Sequence, residues 1–151
     1  MQPKIAVVGG GIFGITSALR LSQEGYIVDL FEMRDDILQV ASGKNHYRFH
    51  SGYHYPKHFN TAQACKDSNQ SFISMFPGVV VSNPEQYYCI AKEGSKVDSV
   101  GYLSFCMKLG LDFEIRVPEV VKPDSIDIGI LANESRFDPR VLSKICRRKL
   151  V

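Results

Sequence analysis

Gly9, Gly11 and Gly14 fall in the spacing G-x-G-x-x-G, and an acid, Glu32, follows eighteen residues after the last of them. Glycine at the first position permits a tight turn. At the second, the missing Cβ lets backbone come close to a diphosphate, and at the third it lets a helix lie against a strand. The unpaired N–H groups and positive dipole end of such a helix attract phosphate charge. A carboxylate at position 32 accepts hydrogen bonds from an adenosine ribose diol and repels a 2′-phosphate, which disfavours NADP. The contact residues of a dinucleotide site are then Gly9, Gly10, Gly11, Ile12, Phe13, Gly14, Glu32, Met33 and Arg34. A turn of the same shape that binds no phosphate is the alternative.

A second group of chemically able residues lies in A-S-G-K-N-H-Y-R-F-H-S-G-Y-H-Y-P, residues 41–56. Ser42, Gly43 and Asn45 offer hydroxyl, amide and backbone donors, while Lys44 and Arg48 add positive charge. That suits a loop folded over phosphate or a sugar chain; a polar surface loop is the alternative. His46, His50, His54 and His58 recur every fourth residue, which in a helix stacks them on one face and invites zinc. Gly52 lies inside the run and Pro56 interrupts it before His58, so no continuous helix is expected and no metal site is assigned. One or two of the rings are expected to line a pocket.

The elements that must position these residues are legible around them. Residues 5–8 form a short apolar, β-branched run, read as a fully buried parallel strand. Residues 12–24 read as a helix with Ile15, Ala18, Leu19 and Ser22 on one face, closed by Gly25. Residues 26–31 are a second strand with Glu32 at its tip. This is a βαβ unit, and it supplies the context that the glycine motif requires. Further on, residues 58–75 read as a helix with Ala62, Cys65, Phe72 and Met75 among its core candidates, ended by Pro77 and Gly78. Residues 79–82 and 86–91 read as strands around an Asn83-Pro84 turn, with Tyr87 and Tyr88 on opposite faces. A helix over 95–109 carries Val97, Val100, Leu103, Phe105 and Met107 as core candidates, and Gly110 caps it. Strands follow at 112–117 and 125–131. Asp138 and Pro139 open a last helix, whose Lys144, Arg147, Arg148 and Lys149 read as a solvated face.

The stretch from Ile5 to Glu32 resembles the extended fingerprint of FAD-dependent oxidoreductases, in which an alanine, a leucine, a glycine and a valine follow the third glycine; here they are Ala18, Leu21, Gly25 and Val28. With the S-G-x-N segment, Ser42 to Asn45, and the His-x-Gly at His50 and Gly52, the resemblance narrows to the D-amino-acid oxidase-like family, relatives of glycine, sarcosine and 2-hydroxyglutarate oxidases. It implies an α/β fold: a Rossmann-like βαβ FAD/NAD(P)-binding unit with the start of an antiparallel-sheet substrate domain. It further implies FAD, taken as noncovalent with attachment through a histidine such as His50, seen in some members, as the alternative; Ser42, Gly43, Lys44 and Asn45 then run along its middle, His50 lies near the flavin ring, and Arg48 is a partner for a substrate carboxylate. The implied reaction is hydride transfer from a small amine or hydroxy acid to the flavin. By the same resemblance, residues 1–76 are the N-terminal part of an FAD-binding domain, 77–133 the start of a substrate domain, and 134–151 a helix returning to the first. The family's further strands are then missing, so a chain incomplete for turnover is expected. An NAD-binding dehydrogenase-like domain and a noncatalytic dinucleotide-binding fragment are the alternatives.

Bulk properties narrow the partners. A 151-residue chain with 44% hydrophobic and 23% charged residues is long and apolar enough to bury a core. A net charge of +2 gives no reason to expect nucleic acid. No apolar run reaches transmembrane length, and the four cysteines form no C-x-x-C pair, so a cytoplasmic protein with reduced thiols is expected, while a small-molecule substrate is what the resemblance implies. Nothing in the pattern speaks to oligomeric state.

Overall fold

The computed structural model describes residues 3–44, 46–81 and 85–150. Asn45 and the Asn83-Pro84 turn therefore lie outside the described residues. Contacts divide the chain into two units, residues 1–47 with 137–151, and residues 48–136.

The first unit is built on parallel strands β1 (Lys4–Val8) and β2 (Ile27–Phe31), joined by helix α1 (Ile12–Gln23). Lys4 pairs with Ile27 and Val8 with Phe31, so both strands end at the same level, beside the start of α1. The glycine at 25, in the left-handed conformation just past the helix C-cap, turns the chain back into β2. Helix α1 buries Ile15 and Ala18, while Ser22 is exposed. The expectation of a fully buried β1 does not hold. Exposure alternates along it, with Lys4, Ala6 and Val8 open and Ile5 and Val7 half-buried. Parallel strands read as continuous apolar runs when helices cover both faces. Leu38 and a fourth helix, described below, complete this unit's core through Leu142, Ile145 and Cys146.

The second unit is an antiparallel sheet with helices. Its helix α2 (Phe59–Met75) buries Ala62; Cys65, Phe72 and Met75 are half-buried, and Phe76 closes the helix in the core. After the short β3 (Val80–Val81) comes β4 (Gln86–Ala91), then helix α3 (Ser99–Leu109), β5 (Phe113–Ile115) and β6 (Ile126–Ala132). The seven-residue β6 is central, with β4 and β5 antiparallel on either side. The α3 helix starts four residues later than the apolar pattern suggests because Asp98 caps it, accepting from the Gly101 N–H at 2.7 Å. Its buried stripe is Tyr102, Phe105, Cys106 and Leu109, at helical spacing, whereas Val100 is 72% and Met107 64% exposed. Tyr53, Ala62, Leu111, Ile130 and Ala132 complete that core.

The unit boundary falls within β7 (Arg136–Phe137), which leads to helix α4 (Pro139–Lys149) of the first unit. Asp138 caps α4 by accepting from Arg140 N at 2.7 Å and Val141 N at 3.2 Å. Of the basic residues expected on a solvated face, Arg148 and Lys149 are exposed and Arg147 pairs with Asp36.

Candidate functional site

In the first unit, β1 ends at Val8 and the backbone reverses through Gly9, whose φ of +108° is costly for any residue with a Cβ. Gly14 sits so close to this turn that a Cβ there would stand 1.8 Å from the Gly9 carbonyl oxygen. Both glycines are therefore set by backbone geometry. Gly11 differs. It is the N-cap of α1, in extended conformation, with no side-chain cap, and a Cβ on it would meet only Ser42 Oγ at 3.7 Å. Around Gly9 and Gly11 the elbow is open space rather than packed side chain.

Two loops close on this elbow. Glu32, immediately past β2, accepts from Gly10 N at 2.6 Å through Oε2 and from Arg34 N at 2.9 Å through Oε1. Those N–H groups, Arg34 first and then Gly10, hold its carboxyl below the usual carboxylate range despite some desolvation. A Cβ on Gly10 would lie 2.9 Å from Oε2, so the middle glycine makes room for the acid. Ser42, in the single turn of 3-10 helix Ala41–Gly43, accepts from Ile12 N at 3.1 Å. Gly43 packs against the 38 position so tightly that a Cβ would stand 1.9 Å from the Leu38 oxygen. Lys44 is exposed, as are Met33 and Arg34, and Phe13 is 87% exposed at the start of α1.

These residues fit the ADP half of a dinucleotide. The elbow leaves a cradle that a Cβ at position 11 begins to fill, α1 starts there on a glycine N-cap that offers no side-chain cap, and each carboxylate oxygen of Glu32 keeps acceptor capacity for a ribose hydroxyl. Of the site residues expected from the sequence, Gly9 to Gly14, Glu32, Met33, Arg34, Ser42, Gly43 and Lys44 lie together in this unit. His50 and Arg48 belong to the second unit.

In that second unit the structure brings together a group that the sequence did not announce. Glu134, two residues past β6, is fully buried. Its Oε1 accepts from Ser51 N at 2.9 Å, its Oε2 accepts from Tyr88 OH at 2.6 Å, and His50 Nδ1 stands 3.7 Å from Oε1. Burial alone would raise this carboxyl, but His50, the Tyr88 hydroxyl and the Ser51 N–H outweigh it and hold it below the ordinary range. Burial and the Glu134 contact together push the Tyr88 hydroxyl up. The Arg48 guanidinium lies 4.7 Å over the Tyr88 ring, which also stacks on Tyr53. His50, His54 and Tyr55 form a small ring cluster. Among the described residues no three of His, Cys, Asp and Glu stand as a metal-binding group. Among them, too, no helix is long and apolar enough to cross a membrane.

A parallel βαβ unit with an open glycine elbow and an acid at the second strand's tip defines a Rossmann-like dinucleotide-binding protein. The profile of the FAD-dependent oxidoreductase family, DAO, matches residues 4–104, more than half of the chain. The chain belongs to that family, whose cofactor is FAD. It is 30% identical over 132 residues to the FAD-dependent monooxygenase FPY4 of Fusarium mangiferae, covering 87% of this chain and 36% of that protein. It is 37% identical over 87 residues to the FAD-dependent monooxygenase kojA of Aspergillus flavus, covering 58% of this chain and 20% of that one. The chain thus spans about a third or less of the length of these relatives. Among solved structures, L-proline dehydrogenase from P. horikoshii shares the fold, with a TM-score of 0.58 at 15% identity over 98% of this chain and 41% of that one.

Proposed function

We propose that the first unit grips the ADP half of FAD and that the protein serves the oxidation of a small amine or hydroxy acid by hydride transfer. The observation that carries the reading is the open elbow at Gly9 and Gly11 with the Glu32 carboxylate pinned to Gly10 beside it. Gly9, Gly10, Gly11, Ile12, Phe13 and Gly14 bring backbone to the diphosphate, and Glu32, with Met33 and Arg34 flanking, takes the adenosine ribose. Ser42, Gly43, Lys44 and Asn45 follow the middle of the cofactor, and His50 serves at the ring end. The flavin supplies a two-electron sink; the protein binds and orients it and excludes water. Functionally, residues 1–76 and 134–151 serve the cofactor and 77–133 the substrate. Four unpaired cysteines support a reducing, cytoplasmic setting.

The chain as it stands tests this. FAD titrated into purified protein is expected to quench flavin fluorescence, and Gly11→Val is expected to abolish the effect by filling the space the diphosphate needs. Flavin retained by Gly11→Val overturns the assignment of that turn. Binding of NADH by colourless protein that ignores FAD would instead support a nicotinamide cofactor, which Glu32 serves equally well.

A further inference from the structure

The Glu134 cluster belongs to the second unit, and the function proposed above gives Glu134 itself no role. A fully buried acid with no cation at hydrogen-bond distance is an expensive feature that packing alone does not require. Two elements converge on it: the 48–51 segment, through Ser51 N and the 3.7 Å approach of His50, and β4, through Tyr88. The segment carrying His50 is itself held in place. Phe49 N donates to Ser135 O at 2.9 Å. On α2, the Asn69 amide, in the orientation that satisfies both of its ends, donates to the carbonyls of His50 at 3.3 Å and Cys65 at 2.9 Å and accepts from the Ser51 hydroxyl at 3.2 Å. His50 Nδ1 is buried with Glu134 as its nearby polar partner, yet it makes no hydrogen bond, and the side chain is still 38% exposed. That exposure therefore falls on other atoms of the side chain than Nδ1.

We propose that Glu134 is a positioning residue for His50: its carboxylate draws the Nδ1 proton to the buried side, so that the Nε2 lone pair faces outward as the proton acceptor of the second unit. A neutral imidazole has one donor and one acceptor nitrogen, and the partner of one nitrogen decides the other. The 3.7 Å gap closes by a small ring movement once Nδ1 carries the proton. The use of that lone pair rests on the function proposed above. When an amine or hydroxy acid is oxidised, its N–H or O–H bond breaks and an Nε2–H bond forms on His50. The electron pair of the C–H bond leaves as hydride, for which the flavin is the acceptor. The imidazolium so formed faces a carboxylate that is already ionised. The other titratable and charged groups around His50 are Tyr88 from β4, Cys65 from α2, and Arg48, His54 and Tyr55 from its own loop.

The test is made on the full chain without flavin, by reading the imidazole nitrogens of ¹⁵N-histidine-labelled protein with the rings neutral. His50 is expected to show a protonated Nδ1 and a free Nε2. In Glu134→Gln the Nδ1–H tautomer is expected to lose its preference. An unchanged tautomer overturns the proposal and leaves Glu134 a structural residue. If Glu134→Gln does not fold, Tyr88→Phe decides. It leaves the acid in place but removes the hydroxyl that donates to Oε2, so the Nδ1–H tautomer is expected to be kept, and an Nε2–H tautomer in that variant or in the parent overturns the proposal. Because no flavin is present, a negative result leaves the FAD reading standing. Failure of FAD to bind would likewise leave the Glu134–His50 coupling standing.

Discussion

Gly11 and Gly14 sit three residues apart in one motif, but the structure gives them different jobs, and a single methyl group separates the two. At Gly14 a Cβ would overlap the Gly9 oxygen at 1.8 Å, so backbone must move. Gly14→Ala is expected to destabilise the first unit by about 1–3 kcal/mol, the ordinary range for overpacking, and to weaken FAD binding with it. At Gly11 the same methyl meets only Ser42 Oγ at an ordinary 3.7 Å, and the backbone is already in a conformation any residue adopts. Gly11→Ala is therefore expected to keep the parent's denaturation midpoint within about 0.5 kcal/mol while weakening FAD at least tenfold. Paired urea and FAD titrations check both; equal loss of stability in the two variants would refute this division of labour. The close packing at Gly14 was legible in the sequence because it depends on backbone geometry within a few residues. Glu32 was legible too, as an acid at a fixed distance from the glycines, although its bond to Gly10 was not. Glu134 was not legible, since its partners Tyr88 and Ser51 lie 46 and 83 residues away along the chain. The one signal was an acid shortly after the apolar run of β6, the arrangement already seen where Glu32 follows β2.

Helices α3 and α4 each begin on an aspartate whose side chain takes up N–H groups that the helix itself cannot satisfy. Replacing such a cap by alanine costs about 1 kcal/mol, within roughly 0.5–2. Asp98→Ala is expected to speed amide exchange in α3 while leaving α1 and α4 unchanged, and Asp138→Ala to do so in α4 while leaving α3 unchanged. Exchange that rises equally in both units would mean that the caps do not act locally. At this scale the sequence was informative about existence and order, less so about edges and faces. Asp138 and Pro139 announced α4 correctly because an N-cap is a local signal. The start of α3 was set four residues early: Val97 extends the apolar pattern upstream, and only the capping geometry of Asp98 shows that the residues before it stand outside the helix. Its face was also misread, because Val100 and Met107 are as apolar as the buried residues. What separates them from Tyr102, Phe105, Cys106 and Leu109 is where Tyr53, Ala62 and Ile130 stand, and that is tertiary information. For β1 the β-branched run fixed the strand and its parallel partner, while its half-open exposure depends on what covers the sheet.

Across the whole molecule each unit has its own core and its own ionised carboxylates, and pH acts on both through the same sign. In the first unit Glu32 is held low by backbone N–H groups and Asp36 by Arg147. In the second, Asp127 is held low by Ser99 at the start of α3, and Glu134 by His50, Tyr88 and Ser51 acting against burial. A carboxyl whose folded pKa lies below its unfolded value stabilises the fold above that unfolded value, and the contribution disappears as pH falls through the folded pKa. Every one of the four has this sign, so urea midpoints are expected to be flat near neutrality and to fall between about pH 5 and pH 2. Asp127 is exposed and Glu32 and Asp36 are half-buried at the surface, so these three contributions are small and screened by salt. Glu134 is the exception, because protonation there puts a proton on an oxygen that already accepts a hydrogen bond in a buried site. The second unit is therefore expected to lose protection first on acidification, read by amide exchange in β4 and β6 against β1 and α1, and 0.5 M salt should not remove the difference. Glu134→Gln, which cannot titrate, is expected to be less stable at neutral pH and flatter in acid. A second unit whose acid sensitivity survives that substitution intact would show that the buried carboxylate is not its source.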